Sequence, residues 1–273
     1  RDLMLKSLPD LILQPVTEAH ILEIFAFARE HKIPLTVRGA GTWGYGGAVP
    51  AFGGILIDLG LMDSIKVHPE SLQATLGPGA RFLSIGRELE RSGLTLLSMP
   101  SGKGGTFAGW MSTGGMGFGT FRHGPVRKQI ISLRAITPEG KVLTLTAEDP
   151  EIEKFIATEG QMGIIVEATL RVGRQPSRWY PYLIPFAATA DAYTFVQRVS
   201  RHPALHPDDL VVYHGALLTA LKSQENSKIS LPGGDCVMAV FEDAEQAGLF
   251  EAYLQEQGLP KGNEESARYL WDE

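Results

Sequence analysis

The 273-residue chain holds a single cysteine, Cys236. It therefore closes no disulfide within itself and builds no cysteine zinc site or cysteine-ligated iron–sulfur cluster from its own residues. A reducing, cytoplasmic setting is the simplest reading of that scarcity. No apolar run reaches the ~18 residues of a membrane-spanning helix, so no transmembrane span is expected. No block of lysine and arginine stands out and the formal net charge is −6, which argues against a nucleic-acid partner, because neutralising phosphates needs a basic face. No G-x-x-x-x-G-K-[ST] motif is present, so a P-loop is unsupported. No signal peptide is visible, though the chain starts at Arg1 and not at Met. No His, Asp and Glu cluster has metal-ligand spacing, and no metal is expected.

Glycine, in contrast, is abundant, with 31 residues against a usual share of ~7%. The excess is clustered. Arg38-Gly39-Ala40-Gly41-Thr42-Trp43-Gly44-Tyr45-Gly46-Gly47 has five glycines in ten residues and follows an apolar strand pattern, Ile33 to Val37. A turn this rich in glycine exposes several N–H groups together, and such a nest binds anions, phosphates above all. Arg38 adds a positive charge beside it. An ordinary surface turn has the same composition, so the rest of the chain must decide. Gly39-x-Gly41-x-x-Gly44 fits the dinucleotide fingerprint by spacing, but no amphipathic helix follows, so a Rossmann crossover is not supported. The phosphates would be held by loop amides. A second segment, Gly102 to Gly124, contains nine glycines, too many for a core element. It reads as a wrapped loop with one short helix near Phe107 to Ser112, or as a lid. Phe107, Trp110, Met111, Met116 and Phe118 would wall a flat aromatic ligand, and Thr106, Trp110, Ser112 and Thr113 can donate hydrogen bonds. A third glycine turn, Glu159 to Gly163, precedes a long strand pattern, Gly163 to Val172.

The remaining periodicity gives a β-α-β start: a strand at Leu11 to Gln14, a helix capped by Thr17 with Ile21, Ile24, Phe25 and Ala28 on one face, then the strand into the first glycine loop. Hairpins are expected at 64–76 and 130–146, a helix over 80–92, and a helix from Asp149-Pro150 to about Thr158. After Gln175 glycine becomes sparse, and three strand–helix alternations follow. These indicate an α+β chain with a domain at 1–175 and a second, partial domain at 176–273. Trp271-Asp272-Glu273 directly follows a charged run without a closing strand. That ending predicts an unpaired edge or an uncovered apolar sheet face.

The order of motifs carries a resemblance. It runs Pro15-Val16-Thr17, Arg38 to Thr42, Gly46-Gly47, Pro78-Gly79, Pro100-Ser101, Gly105 to Trp110, Arg122-His123-Gly124, Thr137 to Gly140, and Glu159 to Ile165. The chain resembles the FAD-binding (PCMH-type) domain of the vanillyl-alcohol oxidase / p-cresol methylhydroxylase superfamily, nearest its FAD-linked D-lactate and glycolate dehydrogenase branch. The resemblance is strong over about 8–175 and weak beyond. It implies two α/β subdomains with FAD between them, followed by the first part of an α+β, ferredoxin-like cap domain. It places the pyrophosphate at Arg38, Gly39, Ala40, Gly41, Thr42, Trp43, Gly46 and Gly47. The diphosphate, ribityl and ring region would be lined by Pro100, Ser101, Gly105, Thr106, Gly109, Trp110, Ser112 and Thr113. Gly160, Gly163, Ile164 and Ile165 would lie by the adenine–ribose or the ring edge.

The resemblance implies a FAD-linked oxidoreductase that takes a hydride equivalent from a hydroxy acid such as D-lactate or glycolate. The protein would add a base and a carboxylate-binding cation; Arg122 and His123 are the candidates within this chain. Covalent members carry a histidine in the first glycine loop where this chain has Thr42-Trp43-Gly44, so non-covalent FAD is expected. Ala108 stands where the family often has glycine. Two other readings stay open: a flavin-dependent transferase resembling alkyl-dihydroxyacetonephosphate synthase, and a flavin-binding electron-transfer subunit completed by a partner chain or electron acceptor.

Overall fold

The computed structural model describes residues 7–224 and 231–272. The chain divides into two compact units. One runs up to Gly117 and resumes over Gly124–Gln175; the other combines Phe118–His123 with the chain from Pro176 onward.

In the first unit, β1 (Leu11–Leu13) leads into α1 (Glu18–His31), then β2 (Leu35–Arg38) and β3 (Ile55–Asp58). These three strands form a parallel sheet in the order β1-β3-β2. The crossover through α1 therefore skips one position, which β3 fills. Helix α1 begins where the sequence signals it: Thr17 Oγ1 accepts from His20 N at 3.3 Å, and Ile21, Phe25 and Ala28 are buried. The first glycine loop leaves the carboxyl end of β2, the end at which open α/β sheets hold ligands.

The larger sheet begins with the hairpin β4 (Ile65–His68) and β5 (Gln73–Leu76), followed by α2 (Phe82–Glu90), β6 (Leu94–Leu96) and α3 (Phe107–Ser112). It is completed by β7 (Ile130–Ile136), β8 (Val142–Thr146) and the eleven-residue β9 (Ile164–Arg174). The order is β4-β5-β9-β7-β8, with β6 also paired to β9. Its core packs Phe82, Ile85, Leu89, Phe107, Met111 and Leu170 together. A second cluster joins α1 to both sheets through Ile21, Phe25, Ile57, Ile136 and Ile164.

The expected helix from Pro150 to about Thr158 is instead a single 3₁₀ segment, Pro150–Phe155. The chain turns extended at Ile156, which is buried, and Ala157 and Glu159 take left-handed backbone conformations. Their N–H groups donate to Met111 and Ser112 carbonyls at 3.2 and 2.8 Å, at the end of α3. Docking onto α3 outcompetes another turn of helix, and it seats the third glycine turn beside the second glycine loop.

In the second unit, α4 (Thr120–His123) precedes β10 (Tyr180–Phe186), α5 (Thr189–Ser200), β11 (Asp209–Tyr213), α6 (Gly215–Gln224), β12 (Asp235–Phe241) and α7 (Ala244–Glu256). The antiparallel sheet has the order β10-β12-β11. A further helix, α8 (Glu264–Asp272), overturns the expected uncovered face. Asn263 Oδ1 caps it by accepting from Ser266 N at 2.8 Å, and Ala267, Leu270 and Trp271 are buried. The α5 and α7 residues Phe195, Phe250 and Leu254 cover one face of the sheet, and Leu218, Ala267, Leu270 and Trp271 of α6 and α8 cover the other. The terminal Glu273 lies outside the described residues.

Candidate functional site: a glycine cradle around a buried hydroxyl

The second glycine loop is fixed from below. Gly105 and Lys103 carbonyls accept from Phe82 N and Leu83 N, two first-turn donors of α2 that lack intrahelical partners, at 3.1 and 3.0 Å. Phe107 N donates to Ala80 O at 2.8 Å, and Thr106 bridges to Arg81. These bonds hold Thr106 in a buried position, 2% exposed, where its Oγ1 has no hydrogen-bond partner.

The first glycine loop sits against that hydroxyl. A Cβ at Gly39 would stand 2.1 Å from Thr106 Oγ1, and one at Gly109 would stand 2.9 Å from it. A Cβ at Gly105 would come 3.3 Å from Thr42 Oγ1. Gly39, Thr42, Gly105, Thr106 and Gly109 thus form one cradle, and glycine at 39 is required by the close approach. Beyond it, among the described residues, the backbone N–H groups from Ala40 to Ala48 make no hydrogen bond, and Gly41 to Tyr45 are exposed. Gly41 has φ +65°. A run of unengaged amides next to an unpaired hydroxyl has the donor chemistry an anion requires.

The third turn borders this loop. The Glu159 carboxylate lies 3.2 Å from where a Gly47 Cβ would be. Ser112 and Thr113 hydroxyls donate to Ala108 and Trp110 carbonyls at 2.8 and 2.9 Å, so their protons stay within α3 and only their lone pairs face outward. Gly160 follows Glu159 in the turn, while Gly163 packs its α-carbon against the Ile136 carbonyl.

Other expected residues are placed differently. The Arg38 guanidinium is held by Asp58 at 2.7 Å, so the charge assigned to the nest is offset by a carboxylate. The Trp110 indole donates to Met116 O at 3.2 Å and packs edge-on against Phe82 at 5.2 Å, stapling its own loop. Phe107 and Met111 are core residues, 1% and 0% exposed, so their side chains are taken up by packing and not presented to a ligand, and Phe118 belongs to the second unit. Ile164 and Ile165 are buried side chains of β9 paired with Ile136 and Ala135, which leaves only their backbone for a ligand. Trp43 and Tyr45 are exposed with their rings 5.0 Å apart, Met99-Pro100-Ser101 leads into the loop, and Ser101 is exposed.

Arg122 and His123 lie in the second unit. Arg122 Nη1 donates to Asp208 Oδ1 at 2.5 Å and lies 2.8 Å from Glu242 Oε1. Burial and the Arg122 charge hold the His123 imidazole below its usual pKa, so it is neutral at pH 7. Asp58, Asp208 and Glu242 carried no signal in the sequence, and Glu159 stood out there only as the start of the third glycine turn. Each acts through a partner between 20 and 120 positions away. A cleft of about 210 Å³ between Val16, Met62, Ser64, Pro78 and Val166 shares no residue with the cradle. Among the described residues no three His, Cys, Asp or Glu side chains are grouped as metal ligands, and no helix is long and apolar enough to cross a membrane.

Two α/β layers with a glycine loop at a strand's carboxyl end, beside an unpaired buried hydroxyl, are the architecture of a PCMH-type FAD-binding domain. Residues 9–146 match the family described as FAD binding domain, and the chain belongs to that family. FAD is its cofactor, and the cradle's chemistry fits it: a dianionic pyrophosphate needs donors, and Thr106 Oγ1 and the amides of 40–48 are donors without a partner. The chain is 26% identical over 198 residues to a D-lactate dehydrogenase of Archaeoglobus fulgidus, covering 70% of this chain and 45% of that protein. It is 29% identical over 180 residues to glycolate oxidase subunit GlcD of Bacillus subtilis, covering 63% and 38%. The chain thus spans less than half the length of these relatives. A solved structure of alkyldihydroxyacetonephosphate synthase matches 90% of this chain and 50% of its own, with a TM-score of 0.75 at 20% identity, which is a likeness of fold.

Proposed function

We propose that the chain is the FAD-bearing part of an FAD-dependent dehydrogenase that oxidises a 2-hydroxy acid such as D-lactate or glycolate. The supporting observation is Thr106 Oγ1: a buried hydroxyl without a partner costs roughly 1–3 kcal/mol, and an incoming phosphate oxygen is the acceptor that removes the cost. When bound, FAD supplies the hydride acceptor for the oxidation. Gly39 and Gly109 bring their backbones against the Thr106 hydroxyl, the amides from Ala40 onward donate to the pyrophosphate, and Thr42 borders it at Gly105. Arg38 keeps the loop in place through Asp58. Pro100, Ser101, Gly46, Gly47, Trp43, Gly160 and Gly163 border the rest of the cofactor. His123, neutral and half-buried, is the one side chain of the 118–124 segment suited to accept a proton from a substrate hydroxyl. The names of the relatives support the hydroxy-acid reading.

The test combines cofactor loading and reduction. Thr106→Val should lower FAD affinity about tenfold, by loss of one hydrogen bond to a charged group, while leaving the FAD-free protein at least as stable. Anaerobic D-lactate or glycolate should bleach the 450 nm band of the loaded protein. A protein that binds FAD but is reduced by neither acid would overturn the substrate reading and favour transferase or electron-transfer chemistry.

A further inference from the structure

The six residues Phe118–His123 leave the first unit after Gly117 and rejoin it at Gly124, yet belong to the second. Both ends of this strap rest on the same short stretch. Gly117 approaches Met99 so closely that a Cβ there would stand 2.2 Å from the Met99 carbonyl oxygen and 3.0 Å from Pro100 Cα. The Gly124 carbonyl accepts from Gln129 Nε2 at 3.2 Å, and the same amide donates to Ser98 Oγ at 2.7 Å. Gln129 and Ser98 are 1% and 2% exposed, so this clamp is shielded from water. The stretch Ser98–Pro100 leads directly into Ser101 and the cradle loop.

The crown of the strap is gripped by charge. Arg122 Nη1 donates to Asp208 Oδ1, and Glu242 Oε1 stands on the same nitrogen. Asp208 is buried, and its second oxygen accepts from Glu242 N at 2.7 Å. Gly119 N donates to Asp209 Oδ2 at 3.4 Å, and the Phe118 ring packs edge-on against Trp271 at 5.3 Å. Two carboxylates converging on one guanidinium leave Arg122 occupied, and a buried Asp208 without it would be an uncompensated charge.

We propose that Arg122 is a positioning residue: it locks the 118–123 strap into place and, through the two glycine feet, restrains the 98–117 loop in the form that receives the cofactor phosphates. Its role in loading rests on the FAD reading above; its restraint of the loop does not. Both acceptors meet the guanidinium at one nitrogen, Nη1; its rigid, permanently charged head holds that nitrogen in place more firmly than an ammonium on a flexible stem, which keeps the charge and can reach the same pair only in part.

The experiment compares the wild-type protein with Arg122→Ala and Arg122→Lys. In FAD-free protein, amide hydrogen exchange over residues 101–117 should be faster in Arg122→Ala and intermediate in Arg122→Lys. The FAD dissociation constant should rise about tenfold in Arg122→Ala, as expected for coupling through a loop, with partial rescue by lysine. Unchanged exchange and unchanged FAD affinity in a folded Arg122→Ala protein would overturn the proposal. So would lysine behaving like alanine. Should Arg122→Ala not fold, Arg122→Met combined with Asp208→Asn removes both charges and is read in the same way. If wild-type protein takes up no FAD, the cofactor reading falls, and the exchange comparison alone still decides whether the strap restrains the loop.

Discussion

A buried carboxylate shows how much single residues in this fold depend on their surroundings. Asp209 is 3% exposed, and burial, its largest influence, pushes its carboxyl up to about 6 from the ordinary 3.8, against two backbone hydrogen bonds from Leu210 and Gly119 that pull it down. Because the folded value is the higher one, the folded state holds this proton more tightly. The stability associated with it is complete below about pH 4 and is lost as pH rises to about 6. The gap corresponds to roughly 3 kcal/mol. Asp209→Asn is neutral throughout and should raise the urea midpoint of the second unit at pH 7.5 while leaving it near wild type at pH 4. Equal midpoints at both pH values would show that the carboxylate is not strained. Neither Asp208 nor Asp209 is conspicuous in the sequence, where Pro207-Asp208-Asp209 reads as a polar approach to a strand. The strand β11 and the strap turn them into buried groups.

Among the elements, the glycine loop after β2 is the most legible. Its composition and its place at a strand end were visible in the residues, and the cradle contains Gly39, Thr42, Gly105, Thr106 and Gly109. Gly41 adopts φ +65°, and a Cβ there would meet Arg38 Cδ at 3.3 Å. Valine disfavours that backbone region through its branched Cβ. Gly41→Val should therefore leave far-ultraviolet circular dichroism near wild type, since the loop carries no core side chain, while flavin occupancy collapses. Full occupancy in a folded variant would refute the nest. Elements that depend on docking were less legible. The segment after Pro150 has helical spacing, but Ile156 gains more by burial than by another helical turn. Helix α8 was missed because its charged first turn hides an apolar triplet, Ala267, Leu270 and Trp271, that acquires meaning only against the second-unit sheet.

For the whole molecule, the attachment of FAD is the property most open to a direct test. Thr42-Trp43-Gly44 offers no histidine to the flavin, and Cys236 is fully buried on β12 with its thiol pushed up to about 11, chiefly by burial. A thiol so protonated is a poor nucleophile. Acid precipitation should leave the yellow colour in the supernatant, and colour in the pellet would show a covalent bond. Sequence alone determined the family, because the FAD-binding motifs are local: most are glycine turns whose backbone geometry is written in consecutive residues. It also determined most strands, whose apolar alternation is read over a few positions. Tertiary structure alone decided which donors are free. Arg38 is answered by Asp58, Arg122 by Asp208 and Glu242, the Trp110 indole by Met116, and only Thr106 among these is left without a partner. The physical reason is that hydrogen bonds and ion pairs act over a few ångströms in space, between residues whose separation along the chain carries no record of the contact.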